Sequence, residues 1–123
     1  MPSRYHIDLD RHLAITTYEG RMTDDDLLHH QRRLRGDPLF SDDLHQLIDA
    51  RGVTHMLVTG DAIRALAEAN VLSATSRRAI LVASTAQFGL ARMFQALRAR
   101  GPERIEIFTD PDEAMRWLGP PTP

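Results

Sequence analysis

The sequence predicts an α/β fold with a mixed, mainly parallel sheet, an N-terminal β-hairpin, the order ββαβαβαβα and four main helices. Three observations carry this prediction. Two short runs with a period of two open the chain and indicate a hairpin. An uninterrupted apolar run at residues 79–83 is typical of a strand that is covered on both faces. Helix start signals follow the later strands, so strands and helices alternate as in a parallel sheet.

The first two strands and the first helix are predicted at the N-terminal end. Residues 5–9 and 13–18 alternate apolar and polar side chains around a polar turn, which favours a hairpin that ends near Gly20. Thr23 is expected to cap the first helix, since the aspartates after it favour the positive end of a helix dipole. Gly36 follows a cluster of arginines and marks the end of this helix.

The next strand and helix have weaker signals. Residues 46–49 predict a short strand, and residues 51–58 are expected to form a long loop. Thr59 or Gly60 then begins the second helix, whose buried side includes Leu66. A strand followed by a helix fits one crossover unit of a parallel sheet.

The C-terminal half has the clearest helix signals. After the apolar strand at residues 79–83, Ser84 and Gln87 have the spacing of a capping box at the start of the third helix. Residues 104–109 predict the last strand. Asp110 is then an N-cap, with proline at the first helical position and glutamate three residues after the cap, so a fourth helix follows.

The composition excludes several kinds of chemistry. The chain has no cysteine, so disulfides, thiolate catalysis and zinc–thiolate sites are excluded. All 15 basic residues are arginine, so the chain has neither a Schiff-base lysine nor a P-loop lysine. A net charge of −2 gives no overall attraction to nucleic acid or anionic lipid, and no nucleic-acid partner is expected. Several arginines at helix ends and strand starts, among them Arg78 and Arg98, are expected to form a solvated rim.

Length and hydropathy predict a single domain. The 123 residues fit one domain at residues 1–119, followed by a disordered proline-rich tail at residues 120–123. No apolar run reaches the roughly 18–20 residues that a membrane span needs, and residues 1–10 lack the apolar centre of a signal peptide. We therefore expect a cytoplasmic protein with no membrane span and no cofactor.

Five segments combine into a recognisable pattern of strands and helix starts: residues 18–20, 47–49, 79–84, 88–94 and 108–118. Through nearly the whole chain they resemble the SpoIIAA-like family of small bacterial proteins. That family has the fold shared by STAS domains (sulphate transporter and anti-sigma-factor antagonist) and SEC14-type lipid-binding domains. The STAS relationship implies an interaction or regulatory module, and the SEC14 relationship implies a carrier of a small apolar molecule or lipid.

The resemblance also suggests a modification site. In signalling STAS proteins a phosphorylatable serine lies in an Asp-Ser-Ser-Gly stretch that opens a helix after a strand. Thr59 and Gly60 occupy the corresponding place, without the preceding Asp-Ser pair, so Thr59 is a candidate for phosphorylation. The alternative, which we favour, is that the Thr59 hydroxyl only caps the second helix.

The sequence contains no recognisable catalytic or metal-binding pattern. Ser84 lacks the glycines of a nucleophile elbow, because Val82 and Ala86 occupy their positions, so a cap is expected there. The six histidines include no His-x-x-x-His pair. The neighbours His29 and His30 point about 100° apart on a helix and cannot chelate together. We therefore expect no catalytic residue and no metal site.

Phe88 is the most informative surface candidate. On a helical wheel it falls near Arg92 and Gln95, opposite the apolar stripe of the third helix. A large aromatic side chain away from the core face is typical of an interaction anchor or a ligand cleft. The alternative is that Phe88 folds back onto the loop at residues 70–76. The stripe itself is predicted to comprise Ala86, Leu90, Met93, Phe94 and Leu97.

These observations predict a non-enzymatic interaction module that forms a homodimer. Phe88, Arg92 and Gln95 would form its contact patch for a protein partner. The alternative function is a carrier for a small apolar ligand or lipid. That function requires a cavity of roughly a few hundred Å³ between the helices and the sheet.

Overall fold

A five-stranded mixed sheet forms the centre of the protein. The computed structural model describes residues 3–69 and 74–119. The strands lie side by side in chain order; the first pair is antiparallel and the other neighbouring pairs are parallel. The elements are β1 (Ser3–Asp8), β2 (Leu13–Thr23), α1 (Asp24–Arg35), β3 (His45–Leu57), α2 (Gly60–Glu68), β4 (Arg77–Leu81), α3 (Thr85–Leu97), β5 (Arg104–Phe108) and α4 (Pro111–Leu118). The predicted fold class and element order are confirmed, whereas the predicted tail at residues 120–123 lies outside the described residues.

Helices cover both faces of the sheet. Successive side chains of a strand point to opposite faces, and β4 shows the consequence. Ile80 packs into a core shared with α1, α2 and α3, whereas Ala79 and Leu81 pack against Ala114 and Leu118 of α4. The apolar residues 79–81 of β4 are therefore buried on both faces, as predicted, but the strand begins two residues earlier and ends two residues earlier than the predicted 79–83.

β2 and β3 are longer than predicted. β3 continues to Leu57, through the segment expected to be a loop, because β2 runs beside it as far as Thr23. Two register shifts interrupt this pairing near Gly20, which has a φ of +70°. A Cβ added to Gly52 would lie 3.0 Å from the Glu19 Cβ, so the two chains approach closely there. Glycine supplies both the unusual φ and the close approach.

The predicted N-caps of α1 and α3 are confirmed, with one difference. Thr23 and Asp26 form a reciprocal capping box at the start of α1. Ser84 Oγ accepts a hydrogen bond of 3.1 Å from the Gln87 backbone at the start of α3. The Gln87 side chain accepts instead from the backbone N–H of Ala83, at 2.8 Å, so the predicted box at Ser84 is incomplete.

The buried side of α3 differs from the predicted stripe. Gln87 and Phe94 are buried, whereas Ala86 is exposed and Leu97 is 45% exposed. A glutamine can be buried here because Gln87 Nε2 donates a hydrogen bond of 3.1 Å to the carbonyl of Val53. Hydrophobicity alone therefore misplaced the two ends of the predicted stripe, whereas its middle residues, at positions 90, 93 and 94, pack in or against the core.

The helices are short. The longest in the described part of the chain, α3, has 13 residues. No helix formed by residues 3–69 and 74–119 is long and apolar enough to cross a membrane.

Candidate functional site

An apolar cavity lies between the sheet and the three helices α1, α2 and α3. Its volume is about 90 Å³, and it is partly open to solvent. The wall includes Met22 from β2, Ile63 from α2 and Leu90 from α3. Of the described residues that line it, all carry apolar side chains except Tyr18 and Gln87. The cavity is therefore the main candidate for a ligand site.

Small and flexible side chains create this space. Ala50 on β3 and Ala91 on α3 are both buried in the wall, and larger residues at either position would occupy part of the cavity. Met22 and Met56 also line it. Methionine side chains adapt readily to irregular spaces, so this wall can adjust to a ligand.

The volume limits the size of a ligand. A water molecule occupies roughly 30 Å³ of liquid, and an engineered apolar cavity of roughly 150 Å³ binds benzene. A cavity of about 90 Å³ therefore encloses roughly three or four heavy atoms, and a molecule of up to about six extends into its opening. Pockets for larger ligands have volumes of roughly 300 Å³ or more. The cavity in this conformation is thus smaller than the carrier hypothesis required, and far too small for a membrane lipid.

The two polar residues of the wall differ in how their polar groups are satisfied. The Gln87 amide bonds to the backbone of both Ala83 and Val53. By contrast, the Tyr18 hydroxyl has no hydrogen bond to any residue in the described ranges 3–69 and 74–119. Burial raises the pKa of Tyr18, and the charge of Arg78 opposes this effect only in part. Tyr18 therefore stays protonated at neutral pH and can donate a hydrogen bond.

Arg78 lies buried behind the cavity, although the sequence predicted a solvated arginine rim. It is 3% exposed, and its Nε donates a hydrogen bond of 3.0 Å to Gln46 Oε1. Its guanidinium carbon lies 5.0 Å from the ring centre of Phe94, which itself lines the cavity. Burial lowers the pKa of Arg78 to about 10, with Glu103 opposing that effect. Arg78 therefore remains a cation at neutral pH.

A buried ion pair accompanies Arg78. Arg98 binds Glu103 through two contacts, Nε to Oε1 at 2.7 Å and Nη2 to Oε2 at 2.9 Å. The Glu103 side chain is 0% exposed. Burial alone would raise the pKa of Glu103, but the hydrogen bonds and charge of Arg98 outweigh it and lower that pKa. The predicted rim was wrong for Arg78, which is buried, and Arg98 is partly buried because it binds Glu103.

The histidines do not form a metal centre in the part of the chain that the structure describes. Among these residues, no group of three or more His, Asp or Glu side chains could hold an ion. His30 is 1% exposed, and its Nε2 lies 3.0 Å from Thr16 Oγ1. Its ring packs edge-on against Tyr5 and Tyr18, and burial lowers its pKa to about 4. His30 is thus a neutral residue of the core next to the cavity.

The predicted contact patch is only partly a free surface. Phe88 is 47% exposed, and Arg92 is also exposed. Gln95 is partly buried, since its Nε2 donates a hydrogen bond of 2.8 Å to the carbonyl of Ile105 on β5. The alternative contact of Phe88 with the loop at residues 70–76 falls largely outside the described residues.

Thr59 caps α2, as favoured from the sequence. Its hydroxyl oxygen accepts a hydrogen bond of 3.3 Å from the Ala62 backbone and donates one of 2.7 Å to Asp24 Oδ2. The Thr59 backbone N–H also donates to Asp24, at 2.7 Å. A phosphate on Thr59 would therefore meet the negative charge of Asp24. Phosphorylation of Thr59 stays a prediction.

Comparison with solved structures identifies the fold. No protein-family model matches the chain, and no curated protein matches it. An uncharacterised protein of the DUF3478 family from Shewanella loihica PV-4, described as having a SpoIIAA-like fold, superposes with a TM-score of 0.61. The match covers 94% of this chain and 93% of that chain at 17% sequence identity. This chain has a SpoIIAA-like fold. The resemblance seen in the sequence is thereby confirmed at the level of the fold.

Sequence reasoning missed the residues that make this cavity in the SpoIIAA-like fold. Tyr18 was assigned only to a hairpin strand, and Gln87 only to a helix cap. Leu66 was placed on the buried side of α2, and it does line the cavity. Tyr18 and Met22 are four residues apart, so period-two alternation alone places both on the same face of β2. No pattern in the sequence shows that this face lies beside a cavity, because the other walls come from distant segments.

Proposed function

We propose that this protein is a non-enzymatic binding protein that takes a small, mostly apolar molecule into the cavity between the sheet and α1–α3. The partly open cavity of about 90 Å³ is the observation that supports it. Protein interiors are close-packed, with few voids larger than a water molecule. A molecule of up to roughly six heavy atoms would fill this space, with part of it in the opening, and would bury apolar surface.

The chemistry of the wall supports binding rather than catalysis. Among the described residues that line the cavity, Tyr18 is the one whose side chain titrates. Burial raises its pKa, which makes it a poor base at neutral pH. General acid–base or nucleophilic catalysis needs two or more reactive groups aimed at one point. The wall offers van der Waals contact and one hydroxyl instead.

Methyl NMR with methylidenecyclopentane, a small hydrocarbon ring, tests the proposal. We expect saturable shift changes at the methyl groups that line the cavity, such as those of Met22, Ile63 and Leu90. Ala91→Leu should abolish them, because the added carbon atoms fill the cavity from α3. Ala96→Leu is the matched control, since Ala96 is exposed on the same helix.

The outcomes of this experiment are distinct. Shift changes scattered over the surface would contradict a binding cavity. The absence of shift changes at a probe concentration near its solubility limit in water would contradict it as well. Equal losses of binding in Ala91→Leu and Ala96→Leu would also contradict it. If Ala91→Leu does not fold, the shift map of the unmodified protein decides the question alone.

A second candidate function is an interaction module that forms a homodimer through Phe88 and Arg92. The observation that favours it is the 47% exposure of the Phe88 ring on α3. Light scattering at micromolar concentration should then give a dimer mass, and Phe88→Ser should give a monomer. Leu97→Ser is the control, because Leu97 is 45% exposed on the same helix but outside the patch. A monomeric unmodified protein, or a dimeric Phe88→Ser variant, would remove this candidate.

A further inference from the structure

We infer that the Tyr18 hydroxyl selects the ligand of this cavity, and that the ligand is a neutral molecule with one hydrogen-bond acceptor, such as a small ketone or ether. Its oxygen would lie at the Tyr18 hydroxyl, and its hydrocarbon part would lie against α2 and α3. This inference rests on the proposed binding function of the cavity and names the class of molecule that it takes.

The position of the Tyr18 hydroxyl is the first observation. The buried side-chain polar atoms that lack a partner in the described ranges belong to Arg11, His30 and Arg33. The Tyr18 oxygen also has no hydrogen bond to the described residues, yet it is not one of these fully buried atoms. It therefore borders open space. Tyr18 lines the cavity, and we take the open space beside its hydroxyl to be that cavity.

The orientation of the ring is fixed by its neighbour. The rings of Tyr18 and His30 meet edge-on, with their centres 5.1 Å apart and their planes at 69°. His30 is itself held by its contact with Thr16. A hydroxyl deep in a protein usually finds a hydrogen-bond partner, and an apolar ligand with one acceptor atom would supply it. The donor is therefore preorganised for such a ligand.

The charge of a buried arginine also favours an acceptor atom of the ligand near Tyr18. The Arg78 guanidinium lies against the Phe94 ring, and its charge acts on the Tyr18 hydroxyl. Phe94 and Tyr18 therefore mark the end of the cavity that is backed by a buried cation. The α2 side of the wall, with Ile63 and Leu66, is aliphatic. An electronegative oxygen is favoured at the Tyr18 end and hydrocarbon at the α2 end.

The ligand is expected to be neutral rather than anionic. An aliphatic wall cannot replace the water around a carboxylate, so an anion would lose its hydration without enough compensation. The raised pKa of Tyr18 shows the same penalty for a negative charge at this position. A ketone or ether oxygen accepts a hydrogen bond without carrying that cost.

A matched pair of probes tests the inference. Cyclopentanone and methylidenecyclopentane have the same ring and the same number of heavy atoms, but only the ketone accepts a strong hydrogen bond. NMR titration should show that Tyr18→Phe weakens cyclopentanone binding about 3- to 10-fold, the loss expected for one hydrogen bond. Methylidenecyclopentane binding should change less than about twofold.

Tyr5→Phe is the matched control, because the chain has two tyrosines and the Tyr5 hydroxyl donates a hydrogen bond of 2.8 Å to Asp37 away from the cavity. It should leave the affinity for both probes unchanged. If Tyr18→Phe weakens both probes equally, Tyr18 acts only by shape, and the inference is wrong while the binding function stands. If neither probe binds the unmodified protein, the binding function itself fails.

A second measurement covers the case in which Tyr18→Phe does not fold. Nuclear Overhauser contacts in the unmodified protein should link the methylene groups beside the ketone to the Tyr18 ring. The distant methylene groups should contact the Leu66 methyls. The reverse orientation, or contacts of both kinds of methylene group with both residues, would overturn the inference.

Discussion

The buried His30 makes the stability of this protein depend on pH in a way that can be measured. His30 lies on α1 with 1% of its surface exposed, and its Nε2 contacts Thr16. Burial lowers its pKa to about 4, and the positive charges of Arg33 and His29 act in the same direction. The perturbation is therefore a fall in pH, and its control is the removal of the imidazole.

The direction and the size of the pH effect on the free energy of unfolding follow from the pKa values of His30 in the folded and unfolded states. In the unfolded chain the pKa is about 6.5, so the unfolded state takes up a proton first as the pH falls. The contribution of the neutral His30 side chain to the free energy of unfolding is fully present above about pH 6.5 and is lost as the pH falls toward about 4. The full difference is worth about 3 kcal/mol of the free energy of unfolding, of which about 2 kcal/mol is lost between pH 7.5 and pH 5.

Urea unfolding at these two pH values, followed by far-ultraviolet circular dichroism, is the assay. His30→Gln keeps a neutral polar side chain and should reduce the fall in unfolding free energy by about 2 kcal/mol relative to the unmodified protein. His45 has a pKa that burial also lowers, so some pH dependence remains in every variant. His6→Gln is the control, because His6 is exposed on β1 and does not act on the pKa of His30. The reasoning about His30 is refuted if His30→Gln and the unmodified protein lose the same free energy.

Three further predictions concern stability. Glu103→Gln should lower the free energy of unfolding by about 3 kcal/mol in urea titrations, because Arg98 loses its buried ionic partner; a loss under about 1 kcal/mol would contradict this. Gly52→Ala should cost about 1–3 kcal/mol, because the new Cβ would lie 3.0 Å from that of Glu19; an unchanged thermal midpoint would show that the strands can separate without cost. Gly89→Ala should instead stabilise the protein by about 0.5–1 kcal/mol, since Gly89 lies inside α3 and an added Cβ would have no atom within 4 Å beyond the adjacent backbone of its own helix; calorimetry would disprove this by showing a lower midpoint.

The sequence by itself determined the order of the elements and the places where helices begin. Thr23, Ser84 and Asp110 cap their helices as predicted. These signals are local: a cap is satisfied by a backbone N–H two or three residues away, and a hairpin is formed by neighbouring strands. The apolar part of β4, residues 79–81, was equally clear, because a strand buried on both faces is mostly apolar; Arg78 is the buried exception in this strand.

Only the tertiary structure decided the length of β3, the burial of charged residues and the cavity. The end of β3 is paired by β2, which comes from another part of the chain, so no local pattern reveals it. Arg78 and His30 are polar residues that lie in the core because partners distant in sequence contact them: Gln46 accepts a hydrogen bond from Arg78, and Thr16 lies against one ring nitrogen of His30. A cavity has no sequence signal either, since it is the space left where side chains from several elements fail to fill the layer between sheet and helices.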